Sequence, residues 1–115
     1  MRKLLALSLL SIAAFAADIT GTWKANVETE AGAGTPTFVF KQSGENLTGT
    51  YSGQFGEAKL TGTVQGTKVE WSFEAQVGDD KAKVSYHGTL DGDSKMKGTA
   101  EFGSLGKGIF TAAKQ

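Results

Sequence analysis

Few side chains in this sequence could do chemistry. There is one histidine, His87, and no cysteine. A nucleophile needs a base within hydrogen-bond reach, usually an imidazole. His87 lies in the run KVSYHGTL, in phase with Ser85 and Thr89 and opposite Tyr86. That phase turns it outward and predicts no hydrolytic triad. Zinc needs several His, Cys or carboxylate ligands converging on one point, which a lone outward histidine does not supply. Paired carboxylates occur at Asp79-Asp80 and at Asp91-Gly92-Asp93. Both fall between strand-like runs, where Asp and Gly serve tight turns. Asp91 and Asp93 could open a calcium loop, but no full ligand set follows them. The sequence therefore predicts no enzyme, no cofactor and no metal centre.

What it holds instead is aromatic side chains in a common phase. Trp23, Phe38, Phe40, Tyr51, Trp71, Phe73, Tyr86, Phe102 and Phe110 all fall on the apolar face of their runs, while Phe55 sits between runs. One reading is that they simply fill a core. A chain this short needs most of that burial to fold at all. The other reading is a pocket for a small apolar or aromatic ligand. Its candidate residues are Trp23, Phe40, Tyr51, Trp71, Phe73 and Tyr86, with Tyr51 and Tyr86 supplying hydroxyls.

The elements that must position them are read from alternation. After residue 20 the chain divides into eight runs of period two: residues 21–29, 37–42, 47–52, 58–65, 68–77, 81–91, 95–102 and 107–114. Between them lie AGAG, SGEN, GQFGE, QGT, GDD, DGDS and GSLG. Short strands with turn chemistry between them predict an antiparallel meander. With the aromatics placed inward, the charges fall outward. In the fifth run Val69, Trp71, Phe73 and Ala75 oppose Lys68, Glu70 and Glu74; in the seventh, Met96 and Ala100 oppose Lys95, Lys97 and Glu101. Charge did not set the phase, so its agreement is an independent check. A meander with one apolar face and no helix to cover it must close on itself. The expected fold is all-β, an eight-stranded antiparallel up-and-down barrel, with a β-sandwich as the alternative.

Composition narrows the setting. Arg2 and Lys3 precede an apolar stretch over residues 4–15, and Ala14-Phe15-Ala16 has the small-x-small form of a cleavage site. Residues 1–16 therefore read as a signal peptide and residues 17–115 as one exported β-domain, periplasmic or secreted. A buried N-terminal helix is the other reading of that stretch. The stretch is too short for an ordinary transmembrane helix, so no membrane span is expected in the mature chain. Removing Arg2 and Lys3 from 12 basic residues leaves ten against 12 acidic ones. Without a basic excess, nucleic acid is not an expected partner. Without cysteine, an exported domain must stand on its apolar core alone.

One pattern recurs: ITGTW from residue 19, LTGTY from 47, LTGTV from 60, YHGTL from 86 and MKGTA from 96. By phase, Gly49, Gly62, Gly88 and Gly98 face inward, as does Gly108, and the flanking threonines face outward. Small, tightly coiled barrels need inward positions without side chains, where strands bend. Threonine outside is a β-former that tolerates water.

ITGTW, LTGTY and GTKVEW (residues 66–71) resemble segments of the avidin/streptavidin family, whose fold is an eight-stranded barrel. Gly21-Thr22-Trp23 also resembles the first-strand signature of lipocalins. As a whole the chain resembles small secreted bacterial β-proteins, a likeness that implies no activity. The avidin resemblance implies a biotin site, which fails residue by residue. Tyr51 matches the tyrosine that bonds the ureido oxygen. Gly53, Ala25, Ala75 and a position near Gly108 stand where the serine, asparagine, stacking tryptophan and aspartate would be. A site built for a polar ring loses heavily when its partners are absent. Calorimetric titration should show no micromolar binding of biotin; a micromolar or tighter isotherm would refute this reading. The sequence thus leaves two functions open: a non-enzymatic barrel binding a small apolar ligand in its mouth, or a structural or interaction protein of the envelope or secreted milieu with a fully packed core.

Overall fold

The computed structural model describes residues 18–77 and 79–115. Residues 1–16, expected from the sequence to be a signal peptide, lie outside them. Nine strands follow in chain order: β1 Gly21–Thr29, β2 Gly32–Gly34, β3 Thr37–Ser43, β4 Asn46–Gly53, β5 Gly56–Gln65, β6 Lys68–Val77, β7 Asp80–Asp91, β8 Lys95–Glu101 and β9 Lys107–Lys114. From β3 to β9 each pairs antiparallel with the next, and β1 pairs with both β3 and β9. The β1–β9 ladder runs from Trp23–Lys114 to Thr29–Gly108, so the sheet closes and the sandwich is excluded. Eight strands make the wall and β2 is an addition to it.

β2 is where the sequence reading falls short. AGAG reads as a turn, yet Gly32–Gly34 pairs with the end of β1. Val27 sits opposite Gly34 in the register that sets Lys24 opposite Thr37. β2 and β3 are thus one strand interrupted at Thr35-Pro36. The Ala25 N–H donates to the Pro36 carbonyl at 3.0 Å. Proline has no N–H to return the bond, so the ladder lapses there. Alternation could not reveal a strand made of Gly, Ala and Gly, because those residues carry almost no side chain to alternate.

The phase read from the aromatics holds along the wall. Trp23, Phe38, Phe40, Leu47, Leu60, Val64, Val69 and Val84 are at most 1% exposed. Charges occupy the outer face, where register pairs Glu74 with Lys83, Asp91 with Lys95 and Glu101 with Lys107. Such cross-strand pairs favour the register modestly. Two hairpins use glycine at the first turn position, Gly44 (φ 63°) and Gly66 (φ 60°), between Ser43–Asn46 and Gln65–Lys68. That is the pattern of a II′ turn, whose twist matches the strands.

The repeated glycines are held by the neighbouring backbone. A Cβ on Gly49 would fall on the Val39 carbonyl, on Gly62 the Glu70 carbonyl, and on Gly98 the His87 carbonyl. At Gly108 it would lie 2.6 Å from the Glu28 carbonyl oxygen. In each case the obstructing carbonyl precedes the residue paired across the strand: Phe40, Trp71, Gly88 and Thr29. Gly88 differs, since its Cβ would meet Met96 Sδ at 2.7 Å and the Phe110 ring at 3.1 Å, inside the barrel. The wall is therefore coiled so tightly that adjacent backbones nearly touch at these points. A methyl there forces the strands apart. Gly62→Ala and Gly98→Ala should each cost about 3 kcal/mol. Gly92→Ala, at φ 78° with open space around it, should cost only about 1 kcal/mol. Urea unfolding of the three variants measures the contrast, and equal losses would contradict the backbone-contact explanation.

Candidate functional site

The two ends of the barrel differ. At one end Ile19, 0% exposed, plugs the opening just ahead of β1. Its carbonyl accepts from Trp23 Nε1 at 2.9 Å, and its N–H donates to Gln42 Oε1 at 2.9 Å. Lys114 Nζ reaches the Asp18 carbonyl at 3.5 Å. The backbone and side chain of Thr20 hydrogen-bond the Asp18 carboxyl and hold it below its ordinary pKa. Ile19 is the apolar residue of the ITGTW copy; besides facing inward, it caps this end.

The middle is packed with rings. Trp71 and Tyr86 stack at 5.0 Å with planes 6° apart. Phe38 stands edge-on to both, at 5.1 and 5.0 Å, and Phe110 does the same at 5.7 and 5.1 Å. Edge-to-face contacts of this kind are favoured by the ring quadrupoles. Phe40 fills the space between Trp23 and Trp71.

At the other end the barrel opens into a cleft of about 300 Å³. Val27, Tyr51, Phe73, Tyr86 and Phe102 line its interior side. Its rim is formed by residues 31–36, the β4–β5 turn at Gln54 and Phe55, and Leu105 on a single 3-10 turn at Gly103–Leu105. Among the described residues no charged side chain lines it. Tyr51 stacks on Phe73 at 4.3 Å, and its hydroxyl accepts from the Phe55 N–H at 3.2 Å, clamping the β4–β5 turn. A Cβ on Gly53 would lie 2.7 Å from that hydroxyl. The serine of the avidin pattern therefore has no room beside Tyr51 as it stands here. Tyr86, 2% exposed, has its hydroxyl pushed well above the ordinary tyrosine pKa of 10, first by burial and then by the Tyr51 hydroxyl nearby.

Of the six candidate ligand residues, three meet at this cleft: Tyr51, Phe73 and Tyr86. Trp23, Phe40 and Trp71 do not line it; they belong to the packed interior below. The rim residues Gln54, Phe55, Leu105 and the AGAG segment all read as turn residues in the sequence, which hides their place at the cleft. His87 is on the outer face, with Nδ1 3.5 Å from Glu70 and Nε2 3.7 Å from Glu101. Asp91 ends β7 and Asp93 lies in the β7–β8 turn, and no group of three metal-binding side chains occurs among the described residues.

A second depression lies on the outside of the wall. The β5–β6 ladder runs from Gln65–Lys68 to Thr61–Ser72 and stops, although β5 begins at Gly56 and β6 continues to Val77. The depression, about 660 Å³, is edged by Glu57, Lys59, Glu74, Lys81 and Lys83. It shares Phe55 and Phe73 with the mouth cleft, so these two rings stand between them.

No family model and no curated protein matches this chain. Among solved structures the chain is similar to a redesigned β-barrel, mFAP1, bound to DFHBI, with a TM-score of 0.62 and 18% identity over 90% of this chain and 98% of that one. It is also similar to the redesigned barrel mFAP0, bound to DFHBI, with a TM-score of 0.58 and 17% identity over 84% and 98%. At such identity the likeness carries the fold alone.

The raised Tyr86 hydroxyl has a consequence for stability. Above pH 10 the unfolded chain loses this proton while the folded chain keeps it. The contribution is whole below pH 10, and stability falls by about 1.4 kcal/mol per pH unit above it. Tyr86→Phe should remove that slope. Urea unfolding of both proteins at pH 9 and pH 11 checks it; equal losses in the two would show that Tyr86 is not the cause.

Proposed function

We propose that this chain is an exported, non-enzymatic β-barrel that binds a small apolar or aromatic ligand in its open mouth. One observation carries the reading: a closed barrel with one end plugged has a cleft at the other end, floored by aromatic rings and, among the described residues, lined by no charged side chain. Ligand sites are commonly concave and largely apolar, with a few placed polar groups, and Tyr51, Tyr86 and Gln54 are such groups here. The redesigned barrels of similar fold are described in complex with a small molecule, DFHBI, which adds weight to this choice. Export rests on the signal pattern of residues 1–16. The packed-barrel alternative accounts for Trp23, Phe38 and Phe40 but leaves the cleft without a purpose.

The test is fluorescence titration with N-phenylnaphthylamine, a neutral apolar dye. Saturable one-to-one binding is expected. Leu105→Asp places a carboxylate on the rim at a residue 51% exposed. It should weaken binding about tenfold or more while leaving the melting temperature unchanged. Absence of dye binding to the wild type would refute the reading. So would binding that Leu105→Asp leaves untouched.

A further inference from the structure

Deepening that reading, and resting on it, we infer that the ligand is an uncharged aromatic molecule whose inner end carries a hydrogen-bond acceptor, held by the Tyr86 hydroxyl. Three observations converge. The first is the lining itself. An ionised carboxylate or ammonium entering the cleft would be desolvated against rings and aliphatic groups with no counter-charge, which is costly. Lys and Glu side chains are plentiful on this barrel, yet they stand on its outer face and around the depression in its wall, not in the cleft.

The second is an unsatisfied donor. Among the described residues, no protein group hydrogen-bonds the Tyr86 hydroxyl, although the residue is 2% exposed. Buried hydroxyls ordinarily have a partner. The hydroxyl is not sealed in, because among the described residues the one polar side-chain atom both fully buried and unpartnered is Trp71 Nε1. Tyr86 thus keeps access to the cleft it lines. A tyrosine hydroxyl is a phenol, and therefore a donor, at physiological pH. Tyr51 already accepts from the Phe55 N–H and retains its own proton, so the second hydroxyl of the floor is also left with a proton to donate. Two donors without an obligate internal acceptor call for an acceptor on the ligand, such as a carbonyl, ether or ring nitrogen.

The third is ring geometry. Phe73 stacks on Tyr51 at 4.3 Å and lies 6.2 Å from Tyr86 with planes 22° apart. The floor is therefore a set of near-parallel faces, which suits a flat ring sliding in alongside them.

The experiment compares three dyes on the wild type, Tyr86→Phe and Tyr51→Phe. Prodan is a neutral naphthyl ketone whose emission moves to the red when its carbonyl accepts a hydrogen bond. N-phenylnaphthylamine is neutral and lacks a carbonyl, and anilinonaphthalene sulfonate adds a negative charge to it. Prodan bound to the wild type should emit to the red of prodan in an aprotic solvent of like polarity. Tyr86→Phe should weaken prodan about fivefold to tenfold and shift its emission to the blue, a larger loss than N-phenylnaphthylamine suffers from the same substitution. The sulfonate dye should bind at least tenfold more weakly than its neutral parent. The emission of prodan in the wild type reads the same bond without any substitution, should a variant fold poorly. If both neutral dyes bind but prodan shows neither the shift nor the Tyr86 dependence, the acceptor assignment is overturned while the mouth remains a ligand site. Equal affinity for the sulfonate dye overturns the requirement for neutrality. If no dye binds, the proposed function falls and this inference with it.

Discussion

The contact on which this fold depends is between a glycine and the backbone of the next strand. At Gly49, Gly62, Gly98 and Gly108 the wall has no room for even a methyl group, because a neighbouring carbonyl occupies the place. Strands that close coil strongly, and a strongly coiled eight-stranded sheet closes with a narrow interior. The side chains across from the glycines then take the space the glycines vacate: Phe40 opposite Gly49, Trp71 opposite Gly62 and Phe110 opposite Gly98. Coiling and core filling are one arrangement seen from two sides. The recurring apolar-x-Gly-Thr spacing supplies both, since a period of two puts the glycine inward and its threonines outward.

Once the middle is filled in this way, space for a ligand can remain only where the coiling relaxes. It relaxes at two places, each traceable to the wall. Pro36 interrupts the β2–β3 strand and leaves β2 paired with β1 alone, so that side of the mouth is a short strand of small residues with one free edge. The β5–β6 ladder ends at Thr61–Ser72, and the next glycine-for-aromatic exchange that could draw the two strands together is missing from residues 57–60. Continuing the register would set Lys59 opposite Glu74, so the seam separates strands of matching charge rather than repelling ones. Phe55 and Phe73 fill the junction of the cleft and the depression.

Side-chain phase was legible in the sequence because it depends only on alternation. Trp71, Phe73 and Ala75 had to share a face, and Lys68, Glu70 and Glu74 had to take the other. Closure was legible because an apolar face without a helix has no other cover. Depth along the barrel was not. Whether an aromatic lies at the mouth or in the middle depends on the stagger between strands. Tyr51 near the end of β4, Phe73 midway along β6 and Tyr86 midway along β7 come to one level only through that stagger. Trp23 and Phe40 have the same phase and the opposite depth. The rim was hidden for a different reason: AGAG and GSLG carry the chemistry of turns, and nothing local distinguishes a turn that lines a cleft from one that faces water.

Satisfaction of polar groups follows the same polarity of ends. The two tryptophans are alike in burial, yet Trp23 has its indole N–H bonded to Ile19 and Trp71 has no partner for its own. At the plugged end the Ile19 N–H and carbonyl, Gln42 and Trp23 are joined in one short network. Towards the mouth, Trp71 stacks on Tyr86, and this adjoining pair carries two polar hydrogens that no protein group among the described residues accepts. Phenylalanine in place of Tyr86 would fill the same volume without a hydroxyl that no protein group among the described residues partners, while the sealed Trp71 N–H carries a cost of about 1–3 kcal/mol. A domain without disulfides, whose stability rests on one small core, has little margin for such a cost. Of the two polar hydrogens, only that of the Tyr86 hydroxyl borders the cleft; the Trp71 N–H is sealed in the packed interior.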